Sequence, residues 1–216
     1  CMDIIKDAKP DAILVSDFGI LRLIKRYMPD VDIHISTQTN ILNYECVKFW
    51  QDMGASRVVL ARELSIPEIA EIKKQVPNME VECFIHGSQC VSFSGRCLLS
   101  DYFTNGERKA NSGNCSQPCR WSYKLVEETR PGQYYEINQD ERGSHILSPK
   151  DLCLVKHLKE MIDAGVDSFK VEGRTKSLYY VSAVAKTYRA AIDEIMANPD
   201  ADMEKYFLEL KKVGNR

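Results

Sequence analysis

The sequence has no long apolar run and no surplus of charge of either sign. Lysine and arginine number 29 against 31 aspartates and glutamates, a net charge of −2. No global basic field therefore draws the chain to nucleic acid, and an RNA partner has to be held by a local patch. Nothing in the pattern offers the roughly twenty consecutive apolar residues of a membrane-spanning helix. The N-terminus lacks the basic-then-apolar layout of a secretory signal. Low-complexity tracts are missing, and so are repeats other than a β/α unit. Two hydrolase signatures are absent as well: the Gly-x-Ser-x-Gly turn that exposes a serine nucleophile, and the His-Glu-x-x-His helix that binds zinc. What remains is an ordinary globular composition, 44% hydrophobic and 28% charged over 216 residues, enough to bury a core.

Cysteine is the exception, with eight residues. A secreted disulfide scaffold would be smaller, rich in loops and led by an export signal. Clustered thiols in a chain without that context point to a cytoplasmic protein with metal or redox chemistry. The chain opens at Cys1 rather than at an initiator Met, and is expected to be a piece of a longer protein.

Along the first 87 residues, short apolar runs alternate with amphipathic ones. Strands are expected at 12–15, 32–37, 57–61 and 81–87. Helices are expected over 18–27, from a cap at Asn40 through Gln51, and from Ser65-Ile66-Pro67-Glu68 onward, where Pro in the first turn and Glu68 complete a capping-box pattern. Such alternation implies parallel strands covered by helices, as a barrel or as an open doubly wound sheet. The rhythm stops after Gly87. From Ser88 to about Gly143 no helical period is visible, and a hairpin is expected between 122–127 and 133–137. Alternation returns with a capped helix from Ser148 through Ala164, a strand over 168–173, a long helix over 177–196 and a last one over 202–212. Three segments follow: β/α units over 1–87, a cysteine-rich insertion over 88–145, and returning β/α units over 146–216.

Four cysteines fall in the irregular segment. Cys90 and Cys97 are separated by six residues, Cys115 and Cys119 by three, with seventeen between the pairs. Thiolates are soft ligands that suit zinc or an iron–sulfur cluster. Zinc sites usually show two to four residues between ligands in both halves, so the wider first gap leans toward the cluster and leaves zinc open. Cys83 and Cys46 read as core, and Cys153 as a helical thiol or fifth candidate ligand.

At this point the sequence resembles a known family. Glu82-Cys83-Phe84-Ile85-His86-Gly87-Ser88-Gln89-Cys90 and Gly95-Arg96-Cys97-Leu98-Leu99-Ser100 match the signature of the collagenase-like peptidases, the thirty-second family of unknown catalytic type. Cys115-Ser116-Gln117-Pro118-Cys119-Arg120-Trp121 and Lys170-Val171-Glu172-Gly173-Arg174-Thr175-Lys176-Ser177 look like the branch whose members hydroxylate tRNA. Gln89 departs from the signature, which usually has an aliphatic residue there. The resemblance implies an α/β fold, a partial TIM-type (β/α) barrel with a long cysteine-bearing insertion, here without the family's first barrel units. It implies a 4Fe-4S cluster on Cys90, Cys97, Cys115 and Cys119, with zinc as the alternative occupant. It also implies prephenate-dependent 5-hydroxylation of a wobble uridine, with tRNA and prephenate or a similar small carboxylate as partners.

Barrel sites gather at the C-terminal ends of strands. Asp17, Thr37, Gln38, Arg62, His86, Lys170, Glu172 and Arg174 are expected there. His86, Glu172 and Lys170 are the candidate catalytic groups. Arg174 and Lys176 suit a dicarboxylate, and Gln38 and Arg62 are further substrate-binding candidates. Arg120, with Trp121, Arg108 and Lys109, offers cations and a ring for RNA, although a Trp buried in a small lobe reads equally from the sequence. Two other functions compete: a peptidase, as the family label says, and a non-catalytic scaffold with structural zinc.

Overall fold

The computed structural model describes residues 2–90, 92, 97–110, 113–121, 138–140, 143–145, 150–174 and 176–213. They form two compact units, one of residues 1–88 and 151–216, the other of residues 89–150.

In the first unit the chain runs α1 (Met2–Ala8), β1 (Ala12–Val15), α2 (Phe18–Tyr27), β2 (Asp32–Ile35), α3 (Tyr44–Asp52), β3 (Arg57–Val59), α4 (Ile66–Gln75) and β4 (Glu80–Gly87). In the second lie α5 (Leu99–Phe103), β5 (Asn138–Asp140) and β6 (Gly143–His145). The first unit then resumes with β7 (Leu152–Cys153), α6 (Leu158–Asp163), β8 (Ser168–Val171), α7 (Leu178–Ala197) and α8 (Glu204–Lys211). The sheet of the first unit is mainly parallel. β1, β2, β3, β4 and β8 pair side by side in chain order, and β7 joins the end of β4 antiparallel.

Period-2 alternation sorts the two faces of this sheet. Ile33, Ile35, Val58, Val81, Cys83 and Ile85 share one buried core with Leu21, Ile24, Val47, Trp50, Ile69, Ile72, Met161, Val184 and Tyr188 of the helices. Successive helices α3, α4, α6 and α7 touch in that order, as right-handed crossovers on one side require. The other face carries Leu14, His34, Arg57, Glu82, Phe84, Ser168 and Lys170, so it is charged where the first is aliphatic.

Local signals explain the helix starts. Asp17 accepts from the Ile20 amide at 2.9 Å, and Ser177 accepts from the Tyr180 amide at 3.2 Å. Ser65 and Glu68 close the capping box that the sequence announces. The α3 cap differs from expectation. Asn40 adopts φ 56° and ends a 3₁₀ turn over Thr37–Thr39, while Asn43 is extended and accepts from the Cys46 amide at 2.9 Å. Two asparagines stood three residues apart, and only the path of the chain out of β2 chose between them.

The expected helix from Ser148 is also corrected. Residues 146–149 lie outside the described set, and Leu152–Cys153 is a strand, so Cys153 is not helical. The end of β4 has backbone groups to satisfy, and β7 pairs with it at His86 and Gly87 before a 3₁₀ turn leads into α6. In the second unit, α5 interrupts the stretch expected to hold no helix. Its five residues are too short for a period to show in the sequence. The hairpin expected over 122–137 lies outside the described residues; β5 and β6 pair just beyond it. No helix among the described residues is long and apolar enough to cross a membrane.

Candidate functional site

The charged face of the sheet is organised around Glu82. Its carboxylate accepts from Lys170 Nζ at 2.6 Å, Ser168 Oγ at 3.0 Å and Arg57 Nη1 at 3.3 Å, so one side chain ties β3, β4 and β8 together. Burial raises the Glu82 pKa, but the hydrogen bond and charge of Lys170, then Ser168 and Arg57, outweigh it and hold the carboxyl below its ordinary value. Phe84 lies beside this network with the Arg62 guanidinium 3.8 Å from its ring centroid and Lys170 Nζ at 5.6 Å. Lys170 is thus paired with Glu82 on this face. Arg62 is held on the same charged face. Thr37 donates to the Leu60 carbonyl at 3.2 Å and the Gln38 amide donates to Ser36 Oγ at 3.3 Å, so Gln38 sits in the 3₁₀ turn just past β2.

His86 occupies a different environment. It follows a bulge in β4, where the register with β8 shifts. The shift turns its ring toward α7, against Tyr188 and Tyr180 with centroid distances of 5.4 and 5.9 Å. The residue is only 1% exposed. Burial drives its pKa down to about 4; Asp151 opposes that and Lys176 adds to it. Lys176 Nζ lies 3.9 Å from Asp151 and 5.0 Å from the centre of the Tyr180 ring. Glu172 accepts from the Arg174 amide at 3.1 Å through Oε1, while its Oε2 is buried without a hydrogen-bond partner among the described residues. Gly87, at φ +106°, lets this corner close: a Cβ there would stand 2.4 Å from the Glu172 carbonyl oxygen. His86, Glu172 and Lys176 therefore share the C-terminal end of β4 and β8, and Arg174 is exposed beside them. Sequence reasoning missed Asp151, Tyr180, Tyr188 and Glu82. An acid set between the apolar Val81 and Cys83 of a strand was the available signal for Glu82; the tyrosines read as ordinary core positions of an amphipathic helix.

The second unit holds the four cysteines. Ser100, fully buried on α5, donates to the Arg108 carbonyl at 2.8 Å and accepts from the Ser116 amide at 2.9 Å, fastening the helix to the following loop. Gln117 takes φ 59°, and Pro118 then starts a 3₁₀ turn that carries Cys119 and Arg120. The Gln117 amide donates to Cys115 Sγ at 3.2 Å. Burial, and then the negative charges that Cys90, Cys115 and Cys97 can carry, raise the Cys119 pKa against the pull of Arg120, so Cys119 lies within electrostatic reach of each of the other three thiols. Among the described residues no three His, Cys, Asp or Glu side chains converge closely enough for a single metal ion. Soft thiolates of this kind could hold zinc or an iron–sulfur cluster. Arg120 donates to the Gln89 carbonyl at 3.0 Å. Trp121 is not buried: it is 41% exposed and packs on Phe103 at 5.9 Å.

The chain is 40% identical to tRNA hydroxylation protein P of Escherichia coli (strain K12) over 89% of this chain and 51% of that protein. It is 42% identical to tRNA hydroxylation protein P1 of Bacillus subtilis (strain 168) over 97% of this chain and 49% of that one. Identity is 41% with the 23S rRNA 5-hydroxycytidine C2501 synthase of Escherichia coli (strain K12), covering 86% of this chain and 26% of the synthase. The chain spans about half the length of the tRNA hydroxylation proteins it matches. The model of Peptidase family U32 matches residues 1–216, and the chain belongs to that family.

Proposed function

We propose that this chain is part of an enzyme that hydroxylates C5 of a pyrimidine in RNA, with a tRNA wobble uridine as the leading target. The observation that carries the reading is identity of about 40% across nearly the whole chain to proteins named for tRNA hydroxylation and to one named for making 5-hydroxycytidine in rRNA. Prephenate or a similar small carboxylate is the proposed co-substrate, and the cations Lys176 and Arg174 beside His86 and Glu172 are where its charge would be met. The sheet is proposed to be one arc of a (β/α) barrel, because its parallel strands follow chain order and its helices touch in sequence.

Cys90, Cys97, Cys115 and Cys119 would hold a 4Fe-4S cluster, which supplies one-electron chemistry when bound. This chain's own residues orient and exchange protons: His86, neutral and buried, receives a proton or a hydrogen bond, while Glu172 Oε2 offers a second acceptor. Nucleoside mass spectrometry of RNA from cells with and without the protein tests the reading. The expected result is a 5-hydroxypyrimidine that disappears on deletion and does not return with Cys97→Ser. An unchanged modification profile on deletion overturns it.

Hydrolysis, the activity in the family's name, has one observation in its favour. Cys153 pairs with His86 across the β4–β7 ladder, which sets a thiol outside the cluster set beside the histidine. Peptide cleavage that survives iron removal and is lost in Cys153→Ala would support that second reading.

A further inference from the structure

His86 is enclosed by groups from two elements and the residues that precede them: Tyr188 and Tyr180 on α7, Cys153 on β7, and the charges of Lys176 just before α7 and Asp151 just before β7. Its Nδ1 stands 3.3 Å from the Tyr188 hydroxyl oxygen. Its Nε2 is buried and meets no hydrogen-bond partner among the described residues. An orphaned ring nitrogen inside a core is costly unless something arrives to satisfy it.

The protons around Tyr188 can be counted. A phenol has one hydrogen to donate. The Tyr188 hydroxyl lies 2.9 Å from the Ile85 carbonyl oxygen, which can only accept, so that hydrogen is spent there. The contact with His86 Nδ1 must then run the other way, with the imidazole donating to the phenol oxygen. A neutral imidazole carries one N–H. Nδ1 has it, and Nε2 is left with a lone pair. The Cys153 thiol, 3.8 Å from the same hydroxyl, does not change this count, because the phenol oxygen can accept from both. Burial keeps the ring neutral near pH 7, since its pKa lies at about 4. Free histidine favours the opposite tautomer, with hydrogen on Nε2, so the arrangement is imposed by the fold.

We propose that Tyr188 is a positioning residue that fixes His86 as the Nδ1–H tautomer and so presents Nε2 as a buried acceptor for a hydroxyl or N–H of the substrate. The catalytic meaning of this acceptor rests on the hydroxylation reading; the tautomer does not.

Two-bond ¹H–¹⁵N correlation of the intact protein with ¹⁵N-labelled histidine decides the tautomer, His86 being assigned by its loss in His86→Gln. The expected spectrum has His86 Nδ1 in the pyrrole-like region and Nε2 in the pyridine-like region. In Tyr188→Phe the two should exchange toward the Nε2–H form, while Cys153→Ala should leave them in place. A wild-type Nε2–H spectrum overturns the proposal, as does a Tyr188→Phe spectrum identical to wild type or a Cys153→Ala spectrum that exchanges. If Tyr188→Phe does not fold, fluorotyrosine at position 188 weakens the acceptor oxygen without emptying the core. The His86 Nδ1 resonance should then move, and its failure to do so also counts against Tyr188. In RNA hydroxylation, Tyr188→Phe should lower kcat by about tenfold or more at unchanged KM. A wild-type protein that hydroxylates no RNA sinks the functional reading and leaves the tautomer to the NMR result.

Discussion

Replacing Glu82 with glutamine keeps the shape of the side chain and removes the charge that three groups on two other strands are turned toward. The carboxylate accepts from Lys170 at 2.6 Å, Ser168 at 3.0 Å and Arg57 at 3.3 Å, with 12% of the Glu82 side chain exposed. Removing one partner of a fully buried ion pair costs about 3–5 kcal/mol. Lys170 and Arg57 keep 31% and 25% exposure, and Arg57 retains Glu80 at 2.7 Å, so solvent and the remaining acid recover part of that loss. The expected cost of Glu82→Gln is about 2–3 kcal/mol. For a chain of this length that lowers Tm by roughly 4–12 °C, read by circular dichroism at pH 7. The sign with pH follows from the depressed carboxyl. A folded pKa below the ordinary 4.5 gives stability that is present above pH 4.5 and is lost as pH falls through the folded value. The variant should therefore approach wild type as the solution is acidified below about pH 4.5. A Tm within about 2 °C of wild type at pH 7, or a gap that widens in acid, would refute the account of Glu82 as the tie across the sheet.

Three further outcomes follow from single contacts. Ser replacement of Cys90, Cys97, Cys115 or Cys119 should each strip iron and sulfide from anaerobically purified protein, whereas Cys46→Ser should not; iron retained in three of the four sinks the ligand assignment. Gly87→Ala places a methyl 2.4 Å from a backbone oxygen at a φ of +106°, and should cost at least about 2 kcal/mol by urea unfolding. Asp17→Ala removes the acceptor for the Ile20 amide at the start of α2, and should cost about 1 kcal/mol by the same measurement, with no change in iron content.

Much of the fold was legible because it rests on local signals. The aliphatic runs at Ala12–Val15 and Arg57–Val59, the capping box at Ser65 and the cap at Ser177 lie where their own chemistry puts them. Misreadings occurred where two local signals were equivalent or where a distant strand intervened. Asn40 and Asn43 are equally good caps by composition. Leu152 and Cys153 became strand because β4, more than sixty residues earlier in the chain, offered unpaired backbone there. The four cysteines were visible by spacing, as was His86 at a strand end. The counter-charge of Lys170 was not legible, because Glu82 lies on another strand 88 residues away.

The sequence alone determined the β/α alternation, the irregular segment with its four thiols, and the family signature that contains them. Those are properties of residue type and spacing, which act within one element or one motif. Only the tertiary structure decided which way His86 points, that Tyr188 across from it has already spent its one proton, and that Glu82 is the partner of Lys170. Each of those depends on groups between 88 and 103 residues apart meeting, where proton count and charge pairing are settled by contact rather than by composition.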